Sequence, residues 1–369
     1  MKSVDLDMQG VRLQIRSEYE DLVEYVRMHL PDHVTAGQAE PHIQVNVDWH
    51  EGRDLDAEAL LVFPGQEALD RVGKRLLAGP DTLVWTNLLR IKNLSMRFRM
   101  HDDQLVIDAI YVYAPRASKL ETEPNYKYKK FFGLMSWFVF HPLAWYLEHF
   151  RGIYLMHASG IDIGGHGVVI GGVGGVGKTT TGVSLLAHEG TRLVSENLIF
   201  YDAERIYSCY EPIRLDDESV ELLGTRRQIL SPADIPDGAN HKNVYHVRRS
   251  AVAESVPASA LFMPRFTKQG FVRPLAVEPC MELLLAFNEL TREVNDAMWF
   301  SATLNVAWPT PRSLERRAAT LRGLLERVAR WEIGIDRSQG VEPVVRSILD
   351  RAGGGRPSMS SQHREVDSP

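Results

Sequence analysis

Cysteine is scarce. Two in 369 residues, Cys209 and Cys280, are too few for a disulfide framework or a structural zinc site. That economy suits a reducing cytosol, so a cytoplasmic protein is expected. A basic excess is also missing. Lys and Arg number 42 against 48 Asp and Glu, and the net charge of −6 gives no general attraction to nucleic acid or anionic lipid. The first residues, interrupted by Asp5, Asp7 and Arg12, lack the apolar core of a signal peptide. Internal repeats are absent, which excludes a repeat architecture.

Nor is there a clean apolar run of about twenty residues, the length a membrane-spanning helix needs. The nearest imitation is Phe131 to Leu147, with Trp137, Phe138, Val139, Phe140, Leu143, Trp145 and Tyr146. Gly133, Ser136, His141 and Pro142 interrupt it, and Pro142 is expected to break a continuous helix. A buried helical segment is expected there, without membrane contact.

What is present is ordinary in bulk and specific at one place. The 44% hydrophobic and 24% charged content is that of a globular protein, long enough for two domains or one large one. The specific place is Gly172-Val173-Gly174-Gly175-Val176-Gly177-Lys178-Thr179, followed by Thr180, which fits the phosphate-loop pattern G-x-x-x-x-G-K-[ST]. Before it, Gly167 to Ile170 reads as a buried strand. After it, Thr180 to Ala187 reads as a helix that ends by Gly190. Glycines let backbone N–H groups converge on a phosphate, and a helix start adds partial positive charge. Lys178 would reach the β- and γ-phosphates of ATP, and the Thr179 hydroxyl would be a ligand of Mg²⁺.

Phosphoryl transfer also needs an acid near the γ-phosphate, to bind metal or accept a proton. Glu196 is the candidate by position. It ends the apolar segment Arg192 to Asn197, which is expected to pair beside the loop strand. The other reading of Ser195-Glu196-Asn197 is a plain polar turn. His157, in an apolar strand leading into the loop, is either a phosphate or acceptor contact or a satisfied core histidine. Glu211 and Arg214 lie close together after a hairpin that turns at Asp202. They either serve the transition state or form a surface ion pair.

The rest of the chain supplies organisation. Residues 1–115 read as a β-rich module, with strand candidates at Val11 to Ile15, Ile43 to Trp49, Leu83 to Trp85, Ser95 to Met100 and Leu105 to Val112. A helix is expected over Glu18 to Leu30 and a hairpin turn at Asp102-Asp103. Lys127, Lys129 and Lys130 around Tyr126 and Tyr128 read as a solvated helix start. Residues 116–150 connect to a nucleotide unit over 151–350. That unit carries further strands at Ala260 to Met263 and Leu304 to Ala307, and helices over Glu278 to Thr291 and Ser313 to Trp331. From Arg351 to Pro369 the composition predicts a disordered tail.

His157-Ala158-Ser159-Gly160, Gly167 to Gly172, the loop itself and Gly190 to Asn197 together resemble the HPr kinase/phosphorylase family and its relatives. These share a nucleotide core with ATP-dependent phosphoenolpyruvate carboxykinase. The resemblance covers residues 140 to 215 and implies an α/β fold, a P-loop nucleotide domain carrying an N-terminal β-rich α+β module. It also implies transfer of the γ-phosphoryl group of Mg-ATP to a hydroxyl on a protein or small molecule. By the family pattern Lys178 neutralises the phosphates, Thr179 and Glu196 flank Mg²⁺, Glu196 acts on the acceptor, and His157 contacts phosphate or acceptor. Where the family has two aspartates this chain has Glu196-Asn197. The glycine-rich signature linked to acting on HPr is missing, so dephosphorylation of phosphoserine-HPr is not expected. Length and N-terminal module resemble the type B group of bacterial genomes. That likeness implies an ATP-grasp enzyme system as partner, and the family at large implies a homo-oligomer.

Two rival functions follow from the same residues. One keeps the nucleotide and discards transfer, making the chain an ATP-binding regulatory or partner-binding protein. The other is a motor-like or GTPase-type hydrolase, whose second motif is a late apolar strand with a terminal aspartate. Ala260 to Met263 and Leu304 to Ala307 lack that aspartate, and no guanine-selective or nucleic-acid motif is apparent.

Overall fold

The computed structural model describes residues 1–37, 39–52, 55–88, 91–123, 125–235 and 242–352. Of the expected tail, 353–369 lies outside the described residues. Arg351 and Ala352 instead close a helix, Glu342–Ala352.

The N-terminal strands are β1 (Lys2–Met8), β2 (Val11–Ser17), β3 (Val34–Thr35), β4 (Ile43–Glu51), β5 (Asp70–Gly73), β6 (Leu76–Ala78), β7 (Thr82–Trp85), β8 (Leu94–His101) and β9 (Gln104–Tyr113). Among the described residues they form one sheet in the order β3-β1-β2-β4-β9-β8-β7-β6-β5. Alternation sets its faces: Val11, Leu13 and Ile15 on β2 and Ile43, Val45 and Val47 on β4 are all buried. Helix α1 (Glu20–His29) crosses between β2 and β4, which pair in parallel. The β8–β9 hairpin turns at Asp102, whose φ of 50° lies in the left-handed region that Asp tolerates. Two short helices follow, α2 (Ala57–Leu60) within the sheet's loops and α3 (Ala117–Thr122) after it.

Helix α4 (Tyr126–Met135) runs into a π turn over Ser136–Phe140 and on into α5 (His141–Arg151). The expected break at Pro142 does not occur. The His141 N–H bonds the Ser136 carbonyl five residues back, and this shifted ladder accommodates a proline that has no N–H to give. The segment is buried as expected, from Trp137 through Leu147. Among the described residues no helix is long and apolar enough to cross a membrane. Lys127 and Lys129 pair with Asp21 at 2.7 Å and Glu123 at 3.2 Å, consistent with a solvated helix start.

A second sheet carries β10 (Tyr154–His157), β11 (Ser159–Ile163), β12 (His166–Ile170), β13 (Thr191–Ser195), β14 (Leu198–Tyr201) and β15 (Arg205–Ser208). Later come the small-sheet strands β16 (Ile213–Leu215), β17 (Leu230–Pro232) and β18 (Asn243–Val247), then β19 (Ser255–Phe266), β20 (Phe271–Pro274) and β21 (Ala329–Ile335). The main order is β10-β14-β15-β19-β12-β11-β13, with β21 beside β19 and β20 beside β21. Helix α6 (Lys178–Leu186) leaves the loop after β12, and α7 (Asp217–Leu223) borders the small sheet. The remaining helices are α8 (Val277–Leu290), α9 (Arg292–Leu304), α10 (Ser313–Arg327) and α11 (Glu342–Ala352).

Three expectations are corrected here. The strand leading into Glu196 stops at Ser195 and does not pair beside the loop strand, because β11 lies between β13 and β12. Both run antiparallel to β11, so their carboxyl ends still reach the same edge. Leu304 ends helix α9 and is not in a strand. Trp331 belongs to β21, since the helix before it stops at Arg327. Strand β21 does lead into an aspartate, Asp336, but its carboxylate accepts from Ser338 N and Gln339 Nε2 and caps a turn.

A continuous apolar cluster joins the two sheets through α4 and α5, with Phe98 edge-on to Phe300 at 5.5 Å. Gln9 Nε2 adds a polar tie to the Ser208 carbonyl at 3.0 Å.

Candidate functional site

The loop between β12 and α6 is shaped by glycines in conformations other residues resist. Gly172, Gly175 and Gly177 have φ of 117°, 78° and 91°. A Cβ placed on Gly174, Gly175 or Gly177 would meet no atom within 4 Å, so this side of the loop opens onto free space. Val176 faces the other way and is buried, while Val173 is exposed. The nine-residue helix α6 begins at Lys178 with no side-chain cap, so its first amides have no partner within the helix.

Lys178 is 6% exposed, and its Nζ donates to the Gly172 and Val173 carbonyls, each at 2.9 Å. Burial pulls its pKa down to about 8, against the opposing pull of Glu196. The Thr179 hydroxyl donates to Glu196 Oε1. Thr180, next on the helix, is half-buried. The Glu196 backbone is anchored by the Ser159 hydroxyl of β11, which donates to its carbonyl. Burial raises the Glu196 carboxyl above the usual range, opposed by the Thr179 bond and by the charges of Arg214, Lys178 and Lys242.

His157 closes β10 with its backbone N–H held by Asn288 Oδ1 of α8 at 3.0 Å. Its buried Nδ1 has no hydrogen-bond partner among the described residues. Burial, and then the charge on Lys178, push its pKa down to about 4, while a bond to the Asn197 backbone opposes them. The ring beside the loop lysine is therefore neutral.

The structure also settles where Glu211 and Arg214 lie. Burial pushes the Glu211 carboxyl up to about 7; Arg214 lowers it, Glu293 and Glu196 raise it, and the Asn197 side chain hydrogen-bonds to it. Glu211 and Arg214 thus share the electrostatic environment of Glu196 and do not form a bare surface pair. Asp202 stays outside. It accepts from Glu204 N and Arg205 N, both at 2.7 Å, and serves the hairpin turn. The residues that sequence reasoning missed are Asn288 and Glu293. Asn288 did carry a signal, a polar residue in i, i+4 step with Cys280 and Leu284 on the buried face of α8. Glu293 offered none.

These parts fit a triphosphate with Mg²⁺. The open glycine cradle, the helix start and a buried lysine suit phosphate, and the Thr179 and Glu196 oxygens suit a hard cation. Among the described residues no cluster of three or more His, Cys, Asp or Glu is arranged as a self-contained metal site. Protein oxygens here would fill only part of an octahedral shell, as is usual for Mg²⁺ held with phosphates.

Comparison with known proteins adds little. No family model matches the chain, and no curated protein matches it. Among solved structures, the HPr(Ser) kinase/phosphatase from Coxiella burnetii is similar over 34% of this chain and 66% of its own, at 18% identity and a TM-score of 0.17. What stands is a mixed α/β architecture of several sheets with a glycine loop at a strand's carboxyl end.

Proposed function

We propose that this protein is a kinase that transfers the γ-phosphoryl group of Mg-ATP to a hydroxyl on a protein or small-molecule acceptor. The observation that carries the reading is the Thr179–Glu196 hydrogen bond at the mouth of the glycine loop. It brings a hydroxyl suited to Mg²⁺ and a carboxylate suited to an acceptor proton to one point. A carboxylate that only held Mg²⁺ would serve a nucleotide binder as well, so label transfer separates the two readings.

Each residue then has a task set by its surroundings. Lys178, satisfied by loop carbonyls, would exchange them for β- and γ-phosphate oxygens. Thr179 and Glu196 would hold Mg²⁺, which when bound offsets the phosphate charge. Glu196 accepts from Thr179 through Oε1, which leaves Oε2 to take the acceptor's hydroxyl proton. Glu211, at about 7, can share that proton as it leaves. His157 offers a neutral ring with a free nitrogen, so it positions an oxygen by hydrogen bonding and not by charge. Asn288 fixes the backbone that carries it.

ADP formation and transfer of a γ-label, measured in wild type and Glu196→Gln, test this reading. Label transfer by wild type, lost in Glu196→Gln while ATP still binds, supports it. Tight ATP binding with no transfer to any acceptor would overturn it in favour of a regulatory nucleotide binder.

A further inference from the structure

Arg214 connects the site to a part of the molecule that the glycine-loop fold does not include. It sits in β16, and its guanidinium carbon lies 4.3 Å from the ring centre of Phe132, on helix α4. Phe132 is itself held from the N-terminal side. The His29 ring of α1 stands edge-on to it at 5.8 Å and stacks on Tyr25 at 5.6 Å, with Phe140 at 6.4 Å. His29 is 2% exposed, and neither ring nitrogen has a hydrogen-bond partner among the described residues, so it packs as an aromatic plate. The charge of Arg214 acts in the opposite direction, on both Glu196 and Glu211.

A guanidinium can lie flat on an aromatic face and still present its N–H donors at the edge of the plane. The face is taken by Phe132, which leaves the edge for oxygen ligands. A flexible arginine without that support would lose entropy each time it ordered over the site.

We propose that Phe132 is a positioning residue: its ring holds the Arg214 guanidinium, whose charge reaches Glu196 and Glu211, so that the rate of transfer depends on a helix outside the glycine-loop fold. The proposal rests on the kinase reading above for its effect on rate, but not for the contact itself.

The test uses full-length protein with Phe132→Leu, Phe132→Tyr, Arg214→Lys and the Phe132→Leu/Arg214→Lys double variant. Phe132→Leu should lower kcat roughly 10-fold, with KM for ATP changed by no more than about 2- to 3-fold. Phe132→Tyr, which keeps the ring, should recover most of that rate. The double variant should be no slower than Arg214→Lys, because both changes break one unit. Additive losses, or a tyrosine variant as slow as leucine, would overturn the proposal. Arginine Nε–H resonances give a readout independent of turnover. Arg214 should give a sharp, slowly exchanging signal in wild type and Phe132→Tyr that broadens in Phe132→Leu. A signal already averaged in wild type would overturn the positioning even with the kinase reading intact. A wild type that never turns over ATP but keeps this pattern would overturn the kinase reading and leave the positioning standing.

Discussion

Asp108 and Glu196 are two acids of the two sheets, and the protein treats them in opposite ways. In the N-terminal sheet, Asp108 Oδ2 receives Arg97 at 2.8 Å and Arg99 at 2.7 Å, and Oδ1 receives Asn46 at 2.9 Å. Its lone pairs are filled by neighbours on the same sheet face. At the glycine loop, Glu196 takes one hydrogen bond from Thr179 and feels its cations from further off. Glu211 beside it is pushed up to about 7, and Lys178 is pulled down to about 8. A filled network stabilises a fold, whereas Lys178, Glu196 and Glu211 lie by an open loop with few close partners to neutralise them.

The contrast breaks most sharply at Glu196. Glu196→Gln should lower phosphotransfer by about 10²- to 10⁴-fold while ATP affinity stays within a few-fold, since glutamine keeps size and one acceptor oxygen. Quenched-flow turnover beside calorimetric ATP titration checks both halves. Next in size, Lys178→Ala should weaken ATP binding by about 10- to 100-fold and leave adenosine binding untouched, a charge-assisted contact being lost only to phosphate. Equal loss for adenosine would mean that the site itself had collapsed.

These two residues were legible because the whole phosphate loop is a local string, and Glu196 follows within one helix and one strand. What was not legible is what distance in the chain conceals. Strand β11 slots between β12 and β13, and nothing local in Arg192 to Asn197 encodes that neighbour. Phe132 touches Arg214 from a stretch that reads only as a buried segment, and Glu293 acts on Glu211 from α9, a helix the sequence reading did not include. Pro142 misleads for a different reason. The helix-breaking rule presumes an α ladder, and the chain supplies a π turn. Leu304 to Ala307 and Trp331 show the usual ambiguity of short apolar runs, settled by tertiary packing.

Smaller effects sharpen the comparison from the structural side. His141 is buried against Trp137 at 5.1 Å and Phe300 at 6.0 Å, and burial holds its pKa down to about 3. Unfolded, it would take a proton below about 6.5, so its share of stability is complete above that pH and erodes as pH falls toward 3. His141→Phe should therefore gain on wild type by about 1.4 kcal/mol per pH unit below 6.5. Paired thermal melts at pH 7 and pH 5 should show that gap widening; a constant gap would contradict neutral burial. Asp108→Asn should cost about 1 kcal/mol, because its partners stay partly solvated, and leave ATP affinity unchanged. Chemical denaturation with ATP titration on the same variant is the check, and a fall in ATP affinity would join the two sheets functionally.

The central claim is that the glycine loop and Glu196 form one machine for moving phosphate. Its most direct test is transfer of γ-labelled ATP into a lysate of the native host, with wild type, Lys178→Ala and Glu196→Gln run in parallel. The account predicts a labelled protein or metabolite with wild type that both variants fail to produce. Label appearing equally with wild type and Glu196→Gln, or with none of the three although wild type binds ATP, would contradict it.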